Sequence, residues 1–118
     1  MSEFNLQDFM KRHCEHGAMC TRLTEELGVL HGLSWADFVL LAELDAGGGN
    51  LSTPELAQKL GLSRSRFLLQ LLPLEKIGLV ERIVGENRSS RIAIRSAGRR
   101  LQREAWSTAT EVCSAMLA

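Results

Sequence analysis

The sequence predicts a mainly α-helical chain with one small β-hairpin: a winged helix-turn-helix between two long terminal helices. Three observations lead there. Two amphipathic segments meet at Gly61, each preceded by a serine that can cap a helix. Two β-like runs follow, separated by a short polar loop. Apolar stripes spaced alternately three and four residues apart occupy both ends of the chain.

The elements follow in order. Leu6, Phe9, His13, His16, Cys20, Leu23, Leu27 and Leu30 form one heptad-like stripe, so residues 4–30 are predicted as a long helix. Gly28 and Gly32 mark its end, and such a seam needs a partner to bury it. Ser34 is a hydroxyl cap with Asp37 near the positive end of the next helix, which carries Trp35, Phe38, Val39, Leu41, Ala42 and Leu44. Gly47-Gly48-Gly49-Asn50 stops it; without a following Gly-Lys-Ser/Thr, a turn is a plainer reading than a phosphate loop.

Ser52-Thr53-Pro54-Glu55 is a capping box with proline in the first turn, and Gly61 ends that short helix. Ser63 caps the second helix of the pair, which is predicted to run to about Ile77 and to be closed by Gly78. Phe67, Leu68, Leu71, Leu72 and Leu74 are expected to pack inward. Pro73 is expected to distort one turn. Residues 79–84 and 90–95 are the hairpin strands around the loop Gly85-Glu86-Asn87-Arg88-Ser89. Ser96 is expected to cap a last helix with Leu101, Ala105, Ala109, Val112 and Met116 on one stripe.

Length and composition set the frame. One domain of 118 residues, 45% hydrophobic and 24% charged, can build a core without staples. Three cysteines, an odd number, argue against a disulfide scaffold. No run of about 18 apolar residues is available for a spanning helix. Residues 1–8 carry acids and no basic-then-apolar signature, so neither a secretion signal nor a membrane partner is expected. The expected compartment is the cytoplasm.

The zero net charge hides a strong asymmetry. Residues 1–58 carry three basic residues against nine acids, a net of −6. Residues 59–103 carry eleven basic residues against Glu75, Glu81 and Glu86, a net of +8, and residues 104–118 return −2. A basic segment centred on a helix-turn-helix is the electrostatic footprint of a nucleic-acid reader; a set of solvated faces is the plainer alternative.

The arrangement resembles the MarR family of bacterial transcription regulators. The stretches that carry the likeness are Leu33-Ser34-Trp35-Ala36-Asp37-Phe38-Val39-Leu40-Leu41, Leu51-Ser52-Thr53-Pro54-Glu55-Leu56-Ala57, Leu74-Glu75-Lys76-Ile77-Gly78-Leu79-Val80-Glu81-Arg82 and Ile94-Arg95-Ser96-Ala97-Gly98-Arg99. The third is the most specific, and together they cover about residues 5–115. The chain departs from the family pattern at the wing, where Glu86-Asn87-Arg88 stands for the usual Asp-Arg-Arg in a loop about two residues shorter. It also departs at Arg95, where the family often has threonine. Relatives often continue the final helix further.

The resemblance implies a homodimer, with about residues 4–30 and 97–117 as dimerisation helices and about 34–95 as the DNA-binding unit. Such a dimer places two recognition helices about one DNA turn apart, on a pseudo-palindromic operator. The turn Ser63-Arg64-Ser65-Arg66 is the expected major-groove reader: arginine presents a bidentate fork to guanine, and serine bonds a base edge or a phosphate. Gln70 lies one turn on. Arg88 at the wing tip, with Arg91 nearby, is the candidate for a narrow minor groove. Arg82 is expected to pair with a wing acid such as Glu86. Arg99, Arg100 and Arg103, at the start of the last helix, are expected to meet an acid.

Three routes of regulation are open at this level. His13, His16 and Cys20 share the seam and are metal-ligand types, although packing is their plainer role. Cys14, Cys20 and Cys113 are candidates for oxidation, against the commoner inert buried thiol. A small aromatic or phenolic effector is what the family resemblance implies, and no residue, His31 and Trp35 included, selects one. No cofactor is expected. The expected function is transcriptional regulation, with repression the expected sense. The alternative is a winged-helix adaptor that binds protein, and an enzyme is not expected because no nucleophile-base pair or metal triad stands out.

Overall fold

The computed structural model describes residues 3–85 and 90–117. Helix α1 (Leu6–His31) starts at Asn5, whose side-chain oxygen accepts the Gln7 and Asp8 N–H groups at 2.9 and 3.3 Å. It stops at Gly32, which is left-handed (φ 70°); the Leu33 N–H returns to the Leu27 carbonyl in a Schellman turn. Helix α2 (Trp35–Ala46) is capped by Ser34, whose hydroxyl accepts the Asp37 N–H at 3.0 Å.

The helix-turn-helix comprises α3 (Thr53–Leu60) and α4 (Arg64–Lys76). Ser52 accepts the Glu55 N–H at 3.2 Å. In return, hydrogen bonds from the Ser52 hydroxyl and N–H hold the Glu55 carboxyl below its ordinary value, with Arg91 adding to the effect. Gly61 turns the chain with φ 67°, and Ser63 accepts the Arg66 N–H at 3.3 Å. The three serine caps fall where the sequence puts them. Helix α4 continues through Pro73 and ends at Lys76.

The hairpin strands β2 (Val80–Val84) and β3 (Ser90–Ile94) pair antiparallel, as expected. A third strand, β1 (Asn50–Ser52), joins the other side of β3 and gives the order β1-β3-β2. In the sequence Asn50 reads as the end of a turn and Ser52 as a helix cap, with no strand signal between them. Leu51 lies opposite Ile92, and both are buried. Helix α5 (Ser96–Leu117) completes the chain.

The core sits inside the winged unit, where Leu40, Leu41, Leu44, Leu56, Phe67, Leu71, Leu74 and Ile92 are almost fully buried. Ala105 and Ala109 bring α5 onto it, and α1 adds Leu23 and Leu27 alone. One sequence expectation is corrected here. Leu72 does not pack inward but is 50% exposed, because Phe67, Leu71 and Leu74 already define the buried side of α4. The α1 stripe, expected to need a partner, is uncovered over its first part within one chain: Leu6 and Phe9 are each 59% exposed.

Polar contacts tie the terminal helices to each other and to the winged unit. His31 Nε2 lies 2.8 Å from the Thr108 hydroxyl, and the Trp35 N–H donates to the Thr24 hydroxyl at 3.0 Å. Asp45 of α2 takes Arg99 Nε at 3.0 Å, Gln102 Nε2 at 2.6 Å and Arg103 Nε at 3.4 Å, all from α5. Among the described residues, no single helix is long and apolar enough to cross a membrane.

Candidate nucleic-acid interface

The first turn of α4 stands free of the core. Ser63, Arg64, Ser65 and Arg66 are all exposed. The Ser63 hydroxyl is occupied by the Arg66 N–H and lies 3.5 Å from the Ser65 hydroxyl, so the cap rigidifies this turn. Among the described residues, no carboxylate comes within 4.0 Å of Arg64 or Arg66. A helix N-terminus with two unpaired guanidiniums attracts anions through both the orphan N–H groups and the side chains.

The other arginines of the basic segment are differently placed. Arg82 pairs with Glu75 at 3.3 Å, at the end of α4; the wing acid Glu86 expected for it lies outside the described residues. Arg95 lies 3.9 Å from Glu81. Arg99 and Arg103 both meet an acid, Asp45, as expected; Arg100, expected to do the same, has no carboxylate within 4.0 Å among the described residues. The positive charge not matched by an acid is therefore concentrated on fewer residues than the sequence total implies.

Gln70 donates its amide to the Ala36 carbonyl at 2.8 Å, which locks α4 against the start of α2. Arg91 donates through Nε to Asn50 Oδ1 at 2.5 Å and through Nη2 to the Asn50 carbonyl at 3.3 Å, bridging β3 to β1. Both side chains are thus engaged within the fold. Arg88 lies outside the described residues, as do Glu86, Asn87 and Ser89.

A crevice of about 550 Å³ opens between α2 and α5. Trp35, Phe38 and Trp106 form its aromatic wall, with Phe38 5.5 Å from Trp35 and 5.9 Å from Trp106 by ring centroids. Cys113 lines the same crevice. Its helical spacing is visible in the sequence, but the pairing of Phe38 with Trp106 across 68 residues is not. Cys14 is exposed, and Cys20 Sγ lies 3.4 Å from His16 Nε2. Among the described residues, no three His, Cys, Asp or Glu side chains are placed to hold one metal ion, and the set His13, His16 and Cys20 does not converge within a chain.

No protein-family model matches the sequence, and no curated protein does. Solved structures do. The transcriptional regulator BldR from Sulfolobus solfataricus superposes with a TM-score of 0.83 at 25% identity, over 95% of this chain and 81% of that one. Sco3205, a MarR family transcriptional regulator from Streptomyces coelicolor solved in complex with DNA, gives 0.82 at 20% identity, over 96% and 74%. The Mycobacterium tuberculosis MarR family protein Rv2887, in complex with p-aminosalicylic acid, gives 0.72 at 25% identity, over 97% and 85%.

The chain has the MarR-type winged-helix fold. Within that fold α4 is the second helix of the helix-turn-helix, the element that enters a major groove in proteins of this motif. The order β1-β3-β2 makes the β2–β3 hairpin the wing. Sequence reasoning missed one feature of this surface. Leu69, midway along α4, is 71% exposed on the same side of the helix as Ser65 and Arg66.

Proposed function

We propose that the protein is a sequence-specific, double-stranded-DNA-binding transcriptional regulator of the MarR family. It acts as a homodimer on a pseudo-palindromic operator, in the sense of a repressor. The observation that carries this reading is the exposed first turn of α4, where Arg64 and Arg66 have no acidic partner among the described residues. The DNA complex of Sco3205, a protein of the same fold, supports it.

Dimerisation is supported by the apolar surface that one chain leaves uncovered on α1, which includes Leu6, Phe9, Met10, Val29 and Leu30. Release from DNA follows when an apolar or aromatic ligand enters the crevice of Trp35, Phe38 and Trp106. The p-aminosalicylic acid complex of Rv2887 supports a ligand of that chemical type. A second route is oxidation of two of the thiols Cys14, Cys20 and Cys113 to a disulfide by a peroxide, which takes up the two electrons and two protons.

Fluorescence anisotropy on a pool of random duplexes, over about 50 to 200 mM salt, tests this. Binding is expected to weaken steeply with salt. The double variant Arg64→Ala with Arg66→Ala should bind weakly, and its log–log salt slope should be shallower by up to about 3.6, at about 0.9 per phosphate contact and four such contacts per dimer. Unchanged binding by the variant would remove the site from α4. A folded dimer that binds no duplex at low salt would favour a protein-binding adaptor.

A further inference from the structure

The outward face of α4 carries more than charge. At helical spacing, Ser65, Arg66, Leu69, Leu72 and Lys76 share one side, opposite the buried Phe67, Leu71 and Leu74. Leu69 is 71% exposed and Leu72 half-exposed. Neither belongs to the core or to the partly buried residues packed against it. Two leucines thus stand on the very surface that the proposed function sends into a major groove.

Their neighbours indicate what they meet. Leu69 lies three residues after Arg66 and four after Ser65, about 4.5–6 Å further along the helix axis. It therefore enters a groove together with them. Arg66 stands at one end of the leucine pair and Lys76 at the other, both without an acid within 4.0 Å among the described residues. Glu75, the acid next to Lys76, is taken up by Arg82. An apolar patch bracketed by cations suits a partner that is anionic at its edges and apolar in its floor. The major groove offers both: phosphates along the walls, and the C5 methyl group of thymine projecting from the floor.

We propose that Leu69, supported by Leu72, reads thymine methyl groups, so that the recognised half-site carries thymine beside the base or phosphate met by Arg66. The inference rests on the DNA-binding reading. Discrimination comes from the methyl group itself, because a leucine side chain makes no hydrogen bond to a base edge. Thymine and uracil present the same donors and acceptors and differ only in that methyl, which makes uracil the decisive probe.

The full-length protein is used to select its preferred duplex from a random pool. Each thymine of the half-site is then replaced by deoxyuridine in both half-sites at once. At one or two positions the replacement is expected to weaken binding about four- to fifteenfold, the upper end being the scale of one fully buried methyl group lost from each of the two half-sites. Leu69→Ala is expected to bind the selected duplex more weakly and to show no difference between thymine and uracil at those positions. Its salt slope should match the wild type, since no phosphate contact is removed. Leu69 is exposed, so the variant should fold, and circular dichroism checks this.

Equal binding of thymine and uracil duplexes by the wild type would overturn the inference while leaving the DNA reading intact. So would a Leu69→Ala variant that keeps the discrimination. Intact duplex binding with an altered oligomeric state in Leu69→Ala would also overturn it, and would assign this face to a protein contact. Failure of the wild type to bind any duplex would overturn the DNA reading itself and this inference with it.

Discussion

Asp45 joins the winged unit to α5 through one carboxylate. Its oxygens take Arg99, Arg103 and the amide of Gln102. Their contributions are unequal. Arg103 is 66% exposed, and an ion pair in that setting is worth little. Gln102 is 4% exposed, and an amide left there without its acceptor costs about 1–3 kcal/mol. Asp45→Ala is therefore expected to lower unfolding free energy in urea by about 1–3 kcal/mol, almost all through Gln102. Arg103→Ala should stay within about 0.5 kcal/mol of the wild type. Equal losses from the two variants would show that the ion pair, and not the buried amide, carries the stability. In the basic segment Arg82, Arg95, Arg99 and Arg103 face carboxylates, whereas Arg64, Arg66, Lys76 and Arg100 have none within 4.0 Å among the described residues.

At the scale of elements, glycines separate packing from propensity. Gly98 lies in the first turn of α5, where a Cβ would run into the Leu79 carbonyl oxygen and press on Ile94. That carbonyl also accepts the Arg95 N–H at 2.9 Å, so it is not free to move. Gly17 lies mid-way along α1 with open space around it. Gly98→Ala is expected to destabilise by about 1–3 kcal/mol in spite of the better helix former. Gly17→Ala should stabilise by about 0.5–1 kcal/mol. Chemical denaturation of both variants checks the pair; a stabilised Gly98→Ala would mean that α5 can slide away from Leu79.

The same scale shows what could be read from the sequence. Helix ends were legible because caps act within three residues: Ser34, Ser52 and Ser63 each bond an N–H three positions on. Strand β1 was not, because its three residues earn their pairing from β3, some forty positions away. Helix α4 carries five leucines among thirteen residues, too many for periodicity to separate the inner ones from Leu69 and Leu72. The first turn of α4 was legible as a candidate from its residue types alone. The engagement of Gln70 with Ala36 and of Arg91 with Asn50 depended on tertiary contacts that no local pattern encodes.

The whole molecule turns on the part of α1 that the chain leaves uncovered. The helix is 26 residues, about 39 Å, yet no residue before Leu23 is buried. Most of a helix's stability in a protein comes from packing of its apolar face, and for α1 that support begins only in its last third. Phe9 and Leu6 are exposed on this arm, and Phe4 lies 6.0 Å from Phe9 by ring centroids. A second copy packing on the arm would supply the missing burial. Wild-type Tm should then rise with protein concentration, since association is linked to folding. Phe9→Arg is expected to sediment as a monomer, to lose helical signal corresponding to two or three turns, and to melt at a concentration-independent temperature. Its stability loss at working concentration should exceed about 2 kcal/mol, the scale of a buried interface anchor, rather than the 0.5 kcal/mol or less of an exposed surface site. A wild type that sediments as a monomer near 100 μM, a concentration on the order of that used for weak dimers, would refute the dimer. The consequence for DNA is direct. Two recognition helices held about 34 Å apart can engage two half-sites together, and a monomer cannot. Phe9→Arg should therefore bind a full selected site no more tightly than a half-site, with Arg64, Arg66 and Leu69 all intact.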